Sequence, residues 1–338
     1  MTLELIFAGF GNVARRAARL LEEMAPRLPF STKTVGIITG HHGASTPDGW
    51  PDSLPSPSTD GSSNAHVIEA LAARHADAAR GGRLVCVETT VLDIRAGEPA
   101  ISHVRAALSA GAHVVTANKG PAAFKYSELA ALAKRVNRAF LFEGAVMDGI
   151  PIFNLVRETL PGVRVESFRG VVNSTTNHIL TMLERGETYD AALAQMQAEG
   201  IAEADPMLDV DGWDAAAKTA ALMNVLMGAG VTPHDIEREG VRGVSADDVR
   251  AARARGERMR LVASADRRRG VAAGRVRLES VPTSDPLAGI EGQQNALLLD
   301  TDLLGEIGIL QRSGGLTQTA YAIVTDLTTI ARRVGRDD

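Results

Sequence analysis

The chain has 338 residues, of which 45% are hydrophobic and 23% charged, with a formal net charge of −5. That length accommodates two domains with separate cores, and the mildly acidic balance leaves no electrostatic footprint for nucleic acid, so the basic clusters at 250–260 and 266–270 read as solvated faces and turns. No apolar run approaches the roughly 20 residues of a membrane span, and a single cysteine, Cys86, excludes an intrachain disulfide, so a cytoplasmic protein with no membrane partner is expected.

In chain order, LELIFAGFGNVARRAARLLEEM reads as a buried strand, a glycine turn and a helix with its leucines on one face. Gly9, Gly11 and Ala14 form a GxGxxG/A pattern between that strand and that helix. Gly9 permits the turn, Gly11 lets backbone approach a pyrophosphate, and the small Ala14 lets helix and strand pack closely. With Asn12 and Val13 between them, this loop is expected to bind a nicotinamide dinucleotide; the plainer alternative is a merely tight turn. A second strand, KTVGIITG, ends in Thr39, Gly40, His41 and His42, without the Asp or Glu that usually holds the ribose hydroxyls in an NAD-selective site. Nothing there repels a 2′-phosphate, and His41, His42 or Arg15 can approach it. NADP(H) use with some NAD(H) activity is therefore expected, unless Asp48 or Asp52 supplies the missing acid.

From Gly43 to Asn64 the composition is that of a surface loop. The helix AHVIEALAARHADAAR leads to the strand RLVCVETT, whose end carries Thr89 and Thr90 as further cofactor-facing residues. Cys86 lies within its apolar run and reads as a structural thiol. A helix around ISHVRAALSAG, a strand AHVVTANKG carrying Lys119, a helix SELAALAKRVN and a strand AFLFEGAV complete an alternation that points to a Rossmann-type, doubly wound parallel sheet.

After Gly149-Ile150-Pro151 the character changes to that of an α+β domain. A helix IPIFNLVRETL precedes a strand ending in Asn173, Ser174, Thr175, Thr176 and Asn177, a polar cluster at a strand-to-helix junction. Capping accounts for one or two of these residues, and the rest, Thr176 among them, can hold a polar ligand. A helix DAALAQMQAEG leads into the stretch Gly200–Lys218, which gathers five carboxylates (Glu203, Asp205, Asp209, Asp211, Asp214) and one lysine. Asp211, Asp214 and Lys218 share a helical face, and the helix beyond them is apolar nearly all round, so Lys218 must be paired or functional. The local reading makes Asp211 an N-cap and Asp214/Lys218 an i,i+4 ion pair. MRLVASAD and VRLESV form an antiparallel hairpin around RRRG, and a glycine-bearing loop, GEIGILQRSGG, opens the last helix, TQTAYAIVTDLTTIARRV. The strand-like NALLLDTD can complete a sheet across a two-fold axis, which predicts a homodimer built from residues after 270 and around 141–151. The expected division is a nucleotide-binding domain over 1–150, completed by a helix at about 316–338, and a substrate-binding, catalytic and dimerisation domain over 151–315.

Taken together, GFGNVA, VVTANK, FEGAV with GIPI, GVVNSTTNHIL and AEADPMLDVDGWDAAAK resemble the homoserine dehydrogenase family, in that family's order and over nearly the whole chain. The resemblance implies reversible NAD(P)-dependent oxidation of L-homoserine to L-aspartate 4-semialdehyde, a step of threonine and methionine biosynthesis, in a dimer. By position it implies Lys218 as proton donor and acceptor, Asp214 beside the substrate hydroxyl, and Lys119 at the cofactor and substrate. Glu203 is implied as the substrate-binding carboxylate, with Asp209 and Thr176 as further substrate contacts. It also implies a sodium-like ion at Glu143, Val146, Asp148 and Ile150, although Met147 and Asp148 stand where the family commonly has glycines. The loop QRSGGLTQT departs from the usual small-residue sequence, and no regulatory module follows the closing helix, so threonine feedback through such a module is not expected. Rival readings are a catalytically inactive NAD(P)-binding sensor and a dehydrogenase of another small hydroxy or amino acid. The presence of both lysines with Glu203 and Asp214 favours catalysis over sensing. Aspartate semialdehyde dehydrogenase chemistry needs a nucleophilic cysteine, which Cys86, without an adjacent histidine, does not supply.

Overall fold

The structure, a computed structural model, describes residues 1–40, 43–49, 54–56, 64–198, 206–268 and 270–337. The chain divides into two compact units, one of residues 1–154 with 315–338 and one of residues 155–314.

The first unit runs β1 (Thr2–Ala8), α1 (Asn12–Met24), β2 (Ser31–Thr39), β3 (Gly43–Ser45), α2 (Ala65–Arg74), α3 (Ala76–Arg80), β4 (Leu84–Glu88), α4 (Ala100–Ser109), β5 (His113–Thr116), α5 (Gly120–Arg135) and β6 (Phe140–Leu141). The second runs β7 (Val165–Val171), α6 (Ser174–Glu184), α7 (Tyr189–Ala198), α8 (Met207–Val210), α9 (Trp213–Leu222), β8 (Glu237–Arg238), α10 (Ala246–Ala254), β9 (Glu257–Asp266), β10 (Ala273–Pro282), β11 (Asn295–Thr301) and β12 (Gly305–Gln311). The chain then returns to the first unit as α11 (Leu316–Asp337).

The sheet of the first unit has the order β3-β2-β1-β4-β5-β6, parallel except for the antiparallel edge strand β3, which begins where a plain surface loop is expected. Every residue of β4 and β5 is buried, as strands covered on both faces require. Leucines and alanines of α1 and the apolar face of α11 form one continuous core with β1 and β4. From β1 the chain steps to β2 on one side and returns through β4 on the other, so the carboxyl ends of β1 and β4 flank the topological switch point where open α/β sheets bind ligands.

The second sheet has the order β12-β11-β7-β9-β10-β8 and is antiparallel except between β10 and β8. Its hairpin of β9 and β10 matches expectation, while four other readings need correction. The segment 305–311 is a strand, not a loop: Gly308 lies opposite Leu298, where a side chain would crowd that leucine, so glycine here serves packing. With β12 added, β11 is an interior strand paired on both sides, so it cannot complete a sheet across a two-fold axis. The helix expected over 150–160 is shorter, a helical run over 153–159 whose last five residues, Leu155–Thr159, form a π turn. Asp211 is not the N-cap of the lysine-bearing helix. That position is Gly212, whose φ of +80° separates α8 from α9 and turns Asp211 toward Arg242. No helix of the described residues is long and apolar enough to cross a membrane.

Candidate active site

In the first unit, the glycine loop rests directly on the chain leaving β4. Gly9 takes φ +85°, and a Cβ there would come within 2.9 Å of Thr89 C and Thr90 N, so only glycine fits. Thr89 Oγ1 donates to Gly9 O at 2.9 Å, and Thr89 N to Ala8 O at 2.8 Å. Around Gly11, by contrast, a Cβ would meet nothing within 4 Å. Gly11 caps α1 without a side-chain hydrogen bond, and no acid lies in the first turn. The start of α1 is thus open at Gly11, free of acids and not capped by the Gly11 position, and its first N–H groups, with the helix dipole behind them, make a cradle suited to an anionic phosphate group. Ala14 is fully buried, while Asn12 and Val13 remain accessible on the rim.

Next to this cradle lies an arrangement that sequence reading missed. Glu88, the last residue of β4, is fully buried. Its Oε1 accepts from Thr90 N at 3.0 Å and from the Thr90 hydroxyl, and its Oε2 accepts from Thr116 Oγ1 at 2.9 Å. Thr116 Oγ1 in turn accepts from Asn118 N at 2.9 Å, and Asn118 Nδ2 donates to Thr90 O at 3.0 Å. The half-buried Lys119 follows as the N-cap of α5. Cys86, two residues before Glu88, is completely buried, and burial, then the Glu88 carboxylate, pushes its thiol far above the ordinary range. That makes it unsuited to nucleophilic chemistry.

In the second unit, Asn173 caps α6 and organises the predicted carboxylates. Its Oδ1 accepts from Thr176 N at 2.8 Å and from Thr176 Oγ1 at 2.9 Å. Its Nδ2 donates to both Asp209 Oδ1 at 2.7 Å and Asp214 Oδ2 at 2.8 Å. One amide thus bridges two carboxylates that would otherwise repel at close range. Asp214 also pairs with Lys218 at 2.9 Å, and Lys218 Nζ donates to Val172 O, just beyond β7, at 2.7 Å. Both side chains are about one-seventh exposed, at 14% and 15%. Burial, then the neighbouring Asp214 charge, raises the Asp209 pKa against the opposing hydrogen bond from Asn173. The predicted site residues Asp209, Asp214 and Lys218 therefore stand together, whereas Thr176 is buried and directed at Asn173, as a support for the site. Glu203 and Asp205, like His41, His42 and Asp52, lie outside the described residues.

The segment expected to hold a monovalent cation offers its carboxylates little freedom. Glu143 is buried and accepts from Ile152 N at 2.7 Å, Phe153 N at 2.8 Å, and both the backbone N (2.7 Å) and side chain of Asn154. Asp148 sits at φ +49° and accepts from Thr319 Oγ1 at 2.8 Å and Gly315 N at 3.3 Å, which ties it to the start of α11. Val146 and Ile150 bring only backbone oxygens to such a site. Among the described residues no group of three or more His, Cys, Asp or Glu side chains is disposed to hold a metal ion. The Glu143 and Asp148 carboxylates are thus engaged by the protein's own donors, and a monovalent ion here would rely largely on backbone oxygens.

A family model described as homoserine dehydrogenase matches residues 151–328, and one described as the homoserine dehydrogenase NAD binding domain matches residues 9–143. The NAD(+)-dependent homoserine dehydrogenase of Pseudomonas canavaninivorans is 33% identical, over 98% of this chain and 97% of that protein. The homoserine dehydrogenase of Sulfurisphaera tokodaii is also 33% identical, over 98% and 99% respectively. Among solved structures, a putative homoserine dehydrogenase from Archaeoglobus fulgidus superposes with a TM-score of 0.77 at 30% identity, covering 97% of this chain and 99% of that one. One from Thiobacillus denitrificans gives 0.79 at 29% identity, covering 100% of this chain and 75% of that one.

Proposed function

This chain is a member of the homoserine dehydrogenase family, and from that premise we propose how its residues divide the reversible oxidation of L-homoserine to L-aspartate 4-semialdehyde. A bound nicotinamide dinucleotide would supply the hydride-transfer chemistry. Gly9, Gly11, Asn12, Val13 and Ala14 hold its pyrophosphate at the start of α1, with Thr89, Thr90 and Lys119 lining the adjoining strand ends. Lys218 takes the hydroxyl proton during oxidation and returns it during reduction. The observation that carries this assignment is the anchoring of Lys218 by Val172 O and Asp214, which fixes its head group beside an acidic pocket already ordered by Asn173. Asp214 and Asp209 shape that pocket, and Thr176 acts through Asn173. Glu203 is assigned by resemblance to the amino group of the substrate.

A nicotinamide cofactor follows from the family, and the finer preference is a proposal. We favour NADP(H), because Thr39 and Gly40 at the tip of β2 carry no acid and Arg15 is exposed on the first turn of α1. The name of the Pseudomonas relative makes NAD(H) the competing choice. A homodimer in the cytoplasm completes the reading, with β12 as its edge: among the described residues this strand has a neighbour on one side of the sheet alone, and it exposes Leu310. Purified protein assayed at 340 nm with L-homoserine and each cofactor in turn tests the assignment. Dinucleotide reduction that depends on homoserine supports it, absence of turnover with either cofactor rejects it, and a KM for NAD well below that for NADP reverses the preference.

A further inference from the structure

The carboxyl edge of the first sheet presents Ala8, Glu88 and Thr116 side by side in register on β1, β4 and β5. From each of these positions the chain leaves toward a segment assigned above to the cofactor or substrate: the glycine loop after Ala8, Thr89-Thr90 after Glu88, and Asn118-Lys119 after Thr116. Only the middle residue can ionise, and it is fully buried. A buried carboxylate at the centre of three ligand-facing loops is costly unless it is hydrogen-bonded, and here two neighbours turn donors toward it. Thr90 supplies its N–H and hydroxyl, and Thr116 its hydroxyl. His103 of α4, itself buried, accepts from Asn64 N at its Nε2 (3.1 Å), so its proton belongs on Nδ1, which stands 3.8 Å from Glu88 Oε1.

These bonds close a ring from Glu88 to Thr90, Asn118, Thr116 and back to Glu88. The ring fixes the backbone at Thr89 and Thr90, and on that backbone Gly9 rests with no room for a side chain. It also fixes Asn118, whose Oδ1 accepts from Gly120 N at 2.8 Å and so sets the start of α5 beside Lys119. We propose that Glu88 is a positioning residue for the cofactor: its buried carboxylate aligns the glycine loop, Thr89-Thr90 and Lys119 as one rigid edge without itself touching the dinucleotide. The proposal rests on the assignment of that edge to the nicotinamide dinucleotide.

The experiment compares Glu88→Gln with the wild-type protein by fluorescence titration of NADPH and by steady-state kinetics. Glutamine keeps the size but turns an amide N–H toward groups that already donate, so the ring opens on one side. Expected results are a dissociation constant for NADPH raised about tenfold or more, as the loss of charge-assisted bonds implies, and a KM for homoserine that moves by less than threefold at saturating cofactor. A purely structural role would instead lower the melting temperature, and lower kcat and the NADPH stoichiometry with the folded fraction, while leaving the NADPH dissociation constant of the folded protein unchanged. Thr116→Val, which deletes one donor, should weaken NADPH several-fold, and Thr116→Ser should restore it. This pair keeps the test decisive if Glu88→Gln does not fold. Unchanged NADPH affinity in Glu88→Gln, or in Thr116→Val where the first variant fails, overturns the proposal. Wild-type NADPH affinity in Gly9→Ala would instead show that the dinucleotide does not use this edge, a failure of the underlying assignment and not of the positioning role alone.

Discussion

Replacing Lys218 by methionine separates a proton-transferring lysine from one that merely neutralises an aspartate. Methionine keeps the packing of the stem but deletes the ammonium that bonds Val172 O and Asp214. Because both partners are largely buried, loss of the cation leaves the Asp214 carboxylate beside Asp209 without its neutralising charge, at a stability cost of about 3 kcal/mol. A destabilised protein loses activity through its unfolded fraction, so the single variant is ambiguous unless stability is restored separately. Adding Asp214→Asn removes the stranded charge, and the double variant should regain most of the lost stability. If Lys218 carries the proton, kcat falls by about 10²–10⁴ in the single variant and stays low in the double one, since a positioned acid or base has that worth. Urea unfolding of each variant, paired with kcat in both directions at saturating NADPH or NADP, gives both quantities. Recovery of kcat together with stability in the double variant would refute the assignment, and near-normal kcat in a folded Lys218→Met protein would move the role to Lys119.

Other consequences follow from the same geometry. Gly9→Ala places a Cβ within 2.9 Å of the Thr89 and Thr90 backbone at a left-handed φ, so cofactor KM should rise by an order of magnitude or more with little change in KM for homoserine; steady-state kinetics against each substrate checks this. Asn173→Ala removes the amide shared by Asp209 and Asp214 and the cap of α6, which should cost about 1–3 kcal/mol in urea unfolding and raise the pH at which the acidic limb of the kcat profile falls, since the two carboxylates then repel unbridged. His113 is buried, and burial, then Arg138, lowers its pKa from the ordinary 6.5 to about 4. An imidazole that protonates more readily when unfolded costs stability as pH falls, so about 3 kcal/mol present above pH 6.5 should be lost between there and pH 4. His113→Asn, which keeps an acceptor for Ala139 N, should flatten that part of the stability-pH curve.

What could be read from the sequence were features whose physics is local. Gly9, Gly11 and Ala14 are recognisable because a strand, a turn and a helix follow one another within a few residues. The pairing of Asp214 with Lys218 follows from i,i+4 spacing alone. Asp211 was misplaced by the same logic: the regular spacing runs through Gly212, where the backbone turns left-handed and breaks the helix in two. Gly305 and Gly308 suggest a loop by composition, and only the facing Leu298 reveals why a strand needs glycine there.

Glu88, and the bridging role of Asn173, are not legible in the sequence for a different reason. Each residue ends or follows a strand, and each finds its partners far along the chain: Glu88 bonds Thr116 in register on the neighbouring strand, 28 residues away, and Asn173 bonds Asp209 of α8 and Asp214 of α9, 36 and 41 residues away. Glu88 has no local pattern to announce it, and the capping pattern at Asn173 says nothing of the two carboxylates it bridges. The two also work in opposite senses, a carboxylate gathering donors in the first unit and an amide donating to two carboxylates in the second. Both meet the same physical need. A polar group close to a ligand holds its direction only if its remaining hydrogen-bonding capacity is satisfied by the protein, because an unsatisfied neighbour would turn toward the ligand or toward water. The residues proposed to face substrate are therefore those that sequence patterns and resemblance can name, and the residues that hold them in place come into view only once distant segments are placed side by side.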